Sequence, residues 1–193
     1  MTNIHTCTDE QVVQIFIKGN TEAFKTIIER YKERVYTSIY MLVKDKHMAE
    51  DLFQDLFIKV IDVLKSGRYN DEGKFSAWLM RVAHNLCMDH FRKIKGKPVI
   101  RTSDGYDLFD MISFSEPSAD YKMATQQTQA TVRKMIDQLP EDQREVIILR
   151  HYANMSFKEI AGLAKCSVNT SLGRMRYALI NLRKMMKENQ LAL

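Results

Sequence analysis

Apolar residues recur at spacings of three and four along most of the chain, and nowhere does an apolar-polar alternation persist long enough to make a strand, so an all-α protein is expected. Thr8 with Gln11 reads as the capping box of a first helix that carries Val12, Val13 and Phe16 and stops at Gly19. Asn20 or Thr21 starts a longer helix with Phe24, Ile27, Ile28, Tyr31, Val35 and Ile39 facing a core. A third helix is expected from about Met48 to Leu64, ended by Ser66-Gly67, and a fourth from about Ser76 to Lys95 after the polar loop Arg68 to Lys74. Gly96, Pro98, Gly105 and Pro117 then punctuate a stretch without sustained periodicity, the best candidate for an interdomain linker. Periodicity returns from Ala119 to Leu139, and Pro140 with Glu141 and Asp142 suits the positive end of another helix. The expected division is a helical domain over 1–96, a linker over 97–118 and a second helical domain over 119–193.

The most specific local pattern is Ser156 to Tyr177. Ser156 followed by Glu159 is a capping box for a helix starting at about Phe157. Ser167 can cap another starting at Val168, leaving Ala164 to Cys166 as the turn of a helix-turn-helix. Small Ala161 and Gly162 would allow a close crossing. In the second helix Val168, Leu172, Met175, Leu179, Leu182 and Met186 share a stripe that is expected to pack inward. Thr170, Gly173, Arg174 and Tyr177 would then lie opposite, flanked by Asn169 and Arg176, as donors to base edges and phosphates. Gly173 in mid-helix costs about 1 kcal/mol against alanine, which a close approach of a DNA backbone would explain.

Charge sharpens this picture. From Lys165 to Lys187 there are six Lys or Arg and no acidic residue. Residues 1–100 carry a net +3, residues 101–132 a net −3 and residues 133–187 a net +6, so two basic blocks flank an acidic bridge, as suits two modules touching nucleic acid at separate points. With 45% hydrophobic and 27% charged residues and no long apolar run, the chain is expected to be soluble and cytoplasmic, without membrane insertion. Cys7, Cys87 and Cys166 lack CxxC spacing and are expected to be buried thiols, neither disulfides nor metal ligands.

Two further surfaces stand out. The third helix has a wide apolar stripe (Leu52, Phe53, Leu56, Phe57, Val60, Ile61, Leu64), yet its other side combines Asp51, Asp55 and Asp62 with Gln54 and a stray Ile58. Acidic neighbours four apart repel, and an exposed isoleucine gains nothing in a monomer, so a basic, partly apolar protein surface is expected to dock there. The segment Lys74 to Lys93 interleaves cations with aromatics. Phe75 and Trp78 are candidates to stack on unpaired bases, Lys74, Arg81, Arg92 and Lys93 to hold phosphates, and Arg81 with Asn85 to meet a duplex edge from one helix face. Leu79 and Val82 read as core, and for Trp78 core and stacking roles remain open.

The segments AEDLFQDLFIKV (Ala49 to Val60), FSAWLMRVAHNLCMDHFRK (Phe75 to Lys93) and LPEDQREVIILRHYANMSFKEIAGLAKCSVNTSLGRMRYALINLRK (Leu139 to Lys184), in this order, resemble regions 2.2, 2.3–2.4 and 4 of an extracytoplasmic-function (ECF) sigma factor of the sigma-70 family. The resemblance implies a dissociable subunit, not itself a catalyst, that directs core RNA polymerase to promoters. It further implies that Asp51, Gln54, Asp55 and Ile58 dock on the β′ clamp helices, with the β flap a second contact on core. Lys74, Phe75, Ser76, Trp78, Arg81, Asn85, Arg92 and Lys93 would hold the −10 element with a flipped base, and Asn169, Thr170, Gly173, Arg174, Arg176 and Tyr177 would read the −35 element. The acidic linker would thread the polymerase channels, and an anti-sigma protein is a further partner that the family often has. Ser171 stands where the family usually has an aliphatic residue, and Tyr177 and Leu179 where arginines are common.

A conventional helix-turn-helix regulator would leave the acidic face and the Lys74 to Lys93 segment without a purpose. A metal-dependent nuclease using His84, Asp89 and His90 is opposed by their helical spacing, and no HExxH, phosphate-cradling loop or nucleophile motif is present. No cofactor, metal or small-molecule substrate is therefore expected.

Overall fold

A computed structural model describes residues 4–70, 73–95 and 130–189, and among them all regular structure is helical. The chain divides into two compact units, Met1–Thr102 and Ser103–Leu193.

In the first unit a 3-10 turn (Ile4–Thr6) precedes α1 (Asp9–Ile17), α2 (Thr21–Val43), α3 (Lys46–Lys65) and α4 (Phe75–Lys95). The starts of α1, α2 and α3 are each capped by a side chain. Thr8 and Gln11 form the expected reciprocal box, the Gln11 amide donating to Thr8 Oγ1 at 3.4 Å and the Thr8 amide to Gln11 Oε1 at 2.9 Å. Asn20 Oδ1 accepts from the Glu22 amide at 3.0 Å. Asp45 Oδ1 accepts from the Met48 amide at 2.8 Å, which is why α3 begins two residues earlier than periodicity suggests. Helix α2 is the hub, packing on α1, α3 and α4, while α3 also packs on α4. The shared core holds Val12, Phe16, Ile27, Val35, Ile39, Leu56, Leu64 and Leu79.

A polar clasp fastens α1 to α2. Arg30 donates from Nη1 to Asp9 Oδ1 (2.8 Å) and from Nη2 to the Cys7 carbonyl (2.7 Å), and the Tyr31 hydroxyl donates to Asp9 Oδ2. Burial, and then this bond to Asp9, push the Tyr31 phenol well above its usual range, so it stays a donor. Cys87 is buried and its desolvated thiol is pushed up to about 12. Cys7 and Cys166 are only half-buried, against the expectation of three buried thiols, because both sit at helix ends.

In the second unit a helix described over 130–138 (α5) leads to α6 (Glu141–Ile147), which runs on into a π-helical turn (Ile148–Tyr152), and then to α7 (Phe157–Leu163) and α8 (Val168–Glu188). The expected linker over 97–118, and 119–129 of the helix expected from Ala119, lie outside the described residues. The core combines Met135, Ile136, Leu139, Val146 to Leu149, Met155 and Ile160. Arg150 reaches past the π turn to donate to the Met155 carbonyl at 2.9 Å and lies 5.2 Å from the Phe157 ring centre, holding the approach to α7 from both sides of its cap.

Asp9→Ala removes the acceptor on which both Arg30 and Tyr31 converge and is expected to lower the stability of the first unit by about 1–3 kcal/mol. Trp78, the only tryptophan, belongs to this unit, so urea unfolding followed by its fluorescence reads the loss. A midpoint equal to that of the parent would show that the clasp contributes nothing.

Candidate nucleic-acid interface

The helix-turn-helix is built as its caps require. Ser156 and Glu159 bond reciprocally, the Glu159 amide donating to Ser156 Oγ at 3.3 Å and the Ser156 amide to Glu159 Oε2 at 2.7 Å. Helix α7 ends with Lys165 in the left-handed region (φ 50) and the Cys166 amide bonded back to the Ala161 carbonyl at 3.0 Å, the wide closing bond of a Schellman turn. Ser167 Oγ then accepts from the Thr170 amide at 3.0 Å and starts α8. Ala161 is buried, but Gly162 is exposed, with no atom within 4 Å of an added Cβ, so it does not permit the crossing as expected.

The rotation of α8 differs from the expected one by about a quarter turn. Its fully buried residues are Ser171 and Ala178, while Val168, Leu172 and Leu179 of the expected inner stripe are exposed. The inner face is set by close packing on α6 and α7 and by two polar bonds across the α6–α8 seam. Arg174 Nε pairs with Asp142 Oδ2 at 3.2 Å, and Asn181 Nδ2 donates to Gln143 Oε1 at 2.8 Å. Arg174 is thus turned toward α6, its side chain only 28% exposed, and is not on the outer face as expected. Thr170 is exposed, but its hydroxyl lies 2.9 Å from Ser167 Oγ in the cap. The outermost line comprises Asn169, Gly173, Arg176 and Ile180, with Arg183, Lys184 and Lys187 continuing it and Leu172, 44% exposed, and Tyr177, 62% exposed, on its two flanks. Leu172 and Ile180 are the members that hydropathy reasoning missed. The signal that finds them is the small-residue spacing of seven between Ser171 and Ala178.

In the first unit Lys74, Arg81, Asn85, Arg92 and Lys93 are exposed as expected, with Arg92 Nη1 bonded to Asp89 Oδ1 at 2.7 Å. Phe75 is not available to bases. It is 1% exposed, enclosed by Tyr31 (5.8 Å between ring centres), Tyr69 (5.8 Å) and Trp78 (5.7 Å), because it is the first core residue of α4. Trp78 is half-buried, lying 4.7 Å from Tyr69 and keeping part of its ring accessible. Ser76 is engaged inside the unit, where Arg34 Nη1 approaches its Oγ at 3.3 Å. Leu79 is buried and Val82 half-buried. Tyr69, which sequence reasoning passed over, joins the polar loop to the start of α4.

On α3 the expected faces are found. Leu52, Leu56, Phe57, Val60 and Leu64 are buried, and Phe53 and Ile61 half-buried. Asp51, Gln54, Asp55 and Asp62 are exposed on the far side with Ile58 at 59% exposure, the least covered large aliphatic side chain among the described residues of the unit. Among the described residues no helix is long and apolar enough to cross a membrane.

Two helical units, one carrying a helix-turn-helix with a cationic outer face, define an all-α protein of the DNA-binding class. The family model of sigma-70 region 2 matches residues 27–96, and that of sigma-70 region 4 matches residues 129–175. The chain is 29% identical over 170 residues to the RNA polymerase sigma-H factor of Pseudomonas aeruginosa, covering 86% of this chain and 87% of that one. It is 28% identical over 175 residues to the ECF RNA polymerase sigma factor SigW of Bacillus subtilis, covering 89% and 92%. Its fold is similar to that of the sigma factor RpoE from Bartonella quintana, solved in complex with the anti-sigma factor NepR, at a TM-score of 0.63 and 21% identity over 86% of this chain and 98% of that one. The chain belongs to the sigma-70 family of RNA polymerase sigma factors, in its extracytoplasmic-function group.

Because nothing lies within 4 Å of a Cβ added at Gly173, Gly173→Ala is expected to stabilise α8 by about 0.5–1 kcal/mol, read as slower amide hydrogen exchange across the helix. Unchanged or faster exchange would mean that the glycine serves the fold.

Proposed function

We propose that the two units divide the work of promoter recognition, residues 1–96 meeting core polymerase and the −10 element and residues 119–193 the −35 element, with 97–118 joining them. The observation that carries this reading is a pair of surfaces of opposite character: an acidic α3 face centred on a largely exposed Ile58, and an α8 outer face whose charged residues up to Lys187 are all cations.

Asp51, Gln54, Asp55 and Ile58 suit a basic, partly apolar protein surface, here the β′ clamp helices, and the second unit offers a further contact to the β flap. At the −10 element the phosphates fall to Lys74, Arg81, Arg92 and Lys93, with Asn85 beside Arg81. The accessible part of Trp78 offers a stacking surface worth about 1–3 kcal/mol per unpaired base. Phe75 and Ser76 support that surface from within the unit. At the −35 element Asn169, Arg176 and Tyr177 reach outward, and Gly173 removes bulk between them. Arg174, tied to Asp142, positions α8 more than it reads bases.

The chain works as an initiation factor and not as an enzyme, in the cytoplasm with RNA polymerase. An anti-sigma protein that covers the α3 face is the regulatory partner that fits, in keeping with the complex of RpoE and NepR.

The double substitution Gln54→Lys, Asp55→Lys adds a positive charge at one exposed position and reverses the charge at the next, and is expected to lower affinity for core polymerase at least about tenfold while leaving the helical content unchanged. Binding of labelled protein to purified core, measured by fluorescence anisotropy, reads the change. An affinity equal to that of the parent chain removes α3 from the docking surface.

A further inference from the structure

Leu172 is 44% exposed on the flank of the outer face of α8, one turn after Asn169 and one turn before Arg176, in a stretch with no acidic residue between Lys165 and Lys187. That side chain is not among the fully buried residues of α8, which are Ser171 and Ala178. Next to it Gly173 has no side chain and no neighbour within 4 Å of an added Cβ, so the helix surface beside Leu172 is low and open. The charge around it fits a polyanion, and in the major groove of DNA the only apolar group a base edge presents is the C5-methyl of thymine.

We infer that Leu172 is a specificity-determining residue that packs on the C5-methyl of a thymine in the −35 element, an assignment that rests on the reading of α8 as the −35 helix. The other exposed aliphatics of α8 are placed differently. Ile180 lies eight residues further on, about 12 Å along the axis, whereas a recognition helix meets base edges with its N-terminal turns. Val168 is the first residue of the helix, and Leu179 shares the Leu172 flank but lies about 10 Å further along the axis. Among them Leu172 combines an exposed side chain, an early turn inside the helix and polar neighbours on either side.

The test uses holoenzyme reconstituted from core polymerase and the full chain, on a promoter whose −35 element has been selected from randomised duplex. Each −35 thymine, on either strand, is replaced in turn by uracil, which removes the methyl group and leaves every hydrogen-bonding group in place. For the parent chain one such replacement is expected to weaken promoter binding about threefold to fivefold. Leu172→Ala should lose a similar factor on the thymine promoter and become indifferent to uracil at that position. Leu172→Met, which keeps an apolar side chain, should retain the sensitivity. Because Leu172 is exposed, both variants should unfold at the parent temperature.

If the parent is indifferent to uracil at every −35 thymine, or if Leu172→Ala remains as sensitive as the parent, the assignment is overturned. Scrambling the whole −35 element, and Arg176→Ala on the intact element, separate this from the larger reading. Losses in both with no effect of uracil leave α8 as the −35 helix and remove only Leu172. No loss in either removes α8 from the −35 element, and Leu172 with it.

Discussion

The rotation of α8 about its own axis is the constraint on which its outer surface, proposed to face DNA, depends, and two of the smallest side chains on the helix set it. Ser171 and Ala178 are fully buried seven residues apart, where α8 packs against α6 and α7. A larger side chain at either position would hold the helices apart, since interiors pack without spare volume. Along the same seam Asp142 holds Arg174 and Gln143 holds Asn181, so α6 fixes the rotation by polar bonds as well as by shape. The Ser171 hydroxyl makes no hydrogen bond among the described residues, a cost that an aliphatic residue of the family's usual type would not carry. The outward direction of Asn169, Leu172 and Arg176 follows from what is hidden behind them.

The first unit mounts the surface proposed for the −10 element in a comparable way. Asp9 binds Arg30 and Tyr31, the Tyr31 ring packs on Phe75, and Phe75 supports Tyr69 and Trp78, while Arg34 lies over Tyr31 and reaches Ser76. The chain of contacts runs from the first helical turn to the polar loop before α4. It gives the accessible part of Trp78 a rigid base, and a stacking platform that is already ordered loses little entropy when a base arrives.

Helix boundaries were legible because caps are local. Thr8 with Gln11, Asn20, Ser156 with Glu159 and Ser167 all act within three residues, and each is found where the sequence places it. The acidic face of α3 was legible for a related reason: its core stripe is long and apolar, so the remaining side is forced outward. The phase of α8 was not, because hydropathy assigns the inside to the largest apolar residues, whereas this helix buries small and polar ones. Phe75 failed differently. A cationic loop with aromatics reads alike whether the rings face bases or each other, and the partner that decides it, Tyr31, lies on another helix far back in the sequence.

The outer face of α8 also separates affinity from choice. In the proposed reading Arg176, Arg183, Lys184 and Lys187 would attract any duplex, since phosphate contacts position a protein without reading sequence and weaken together as salt rises. Discrimination has to come from side chains whose interaction differs between base pairs, and the early turns of α8 hold two uncharged ones, Asn169 and Leu172. An amide can pair with base-edge donors and acceptors, and an aliphatic group gains only where a methyl meets it. A helix with so few readers gains little selectivity by itself. In the reading proposed above, its weak preference becomes useful because a second unit of the same chain engages its own box, so that a modest bias at each site multiplies into a choice of promoter.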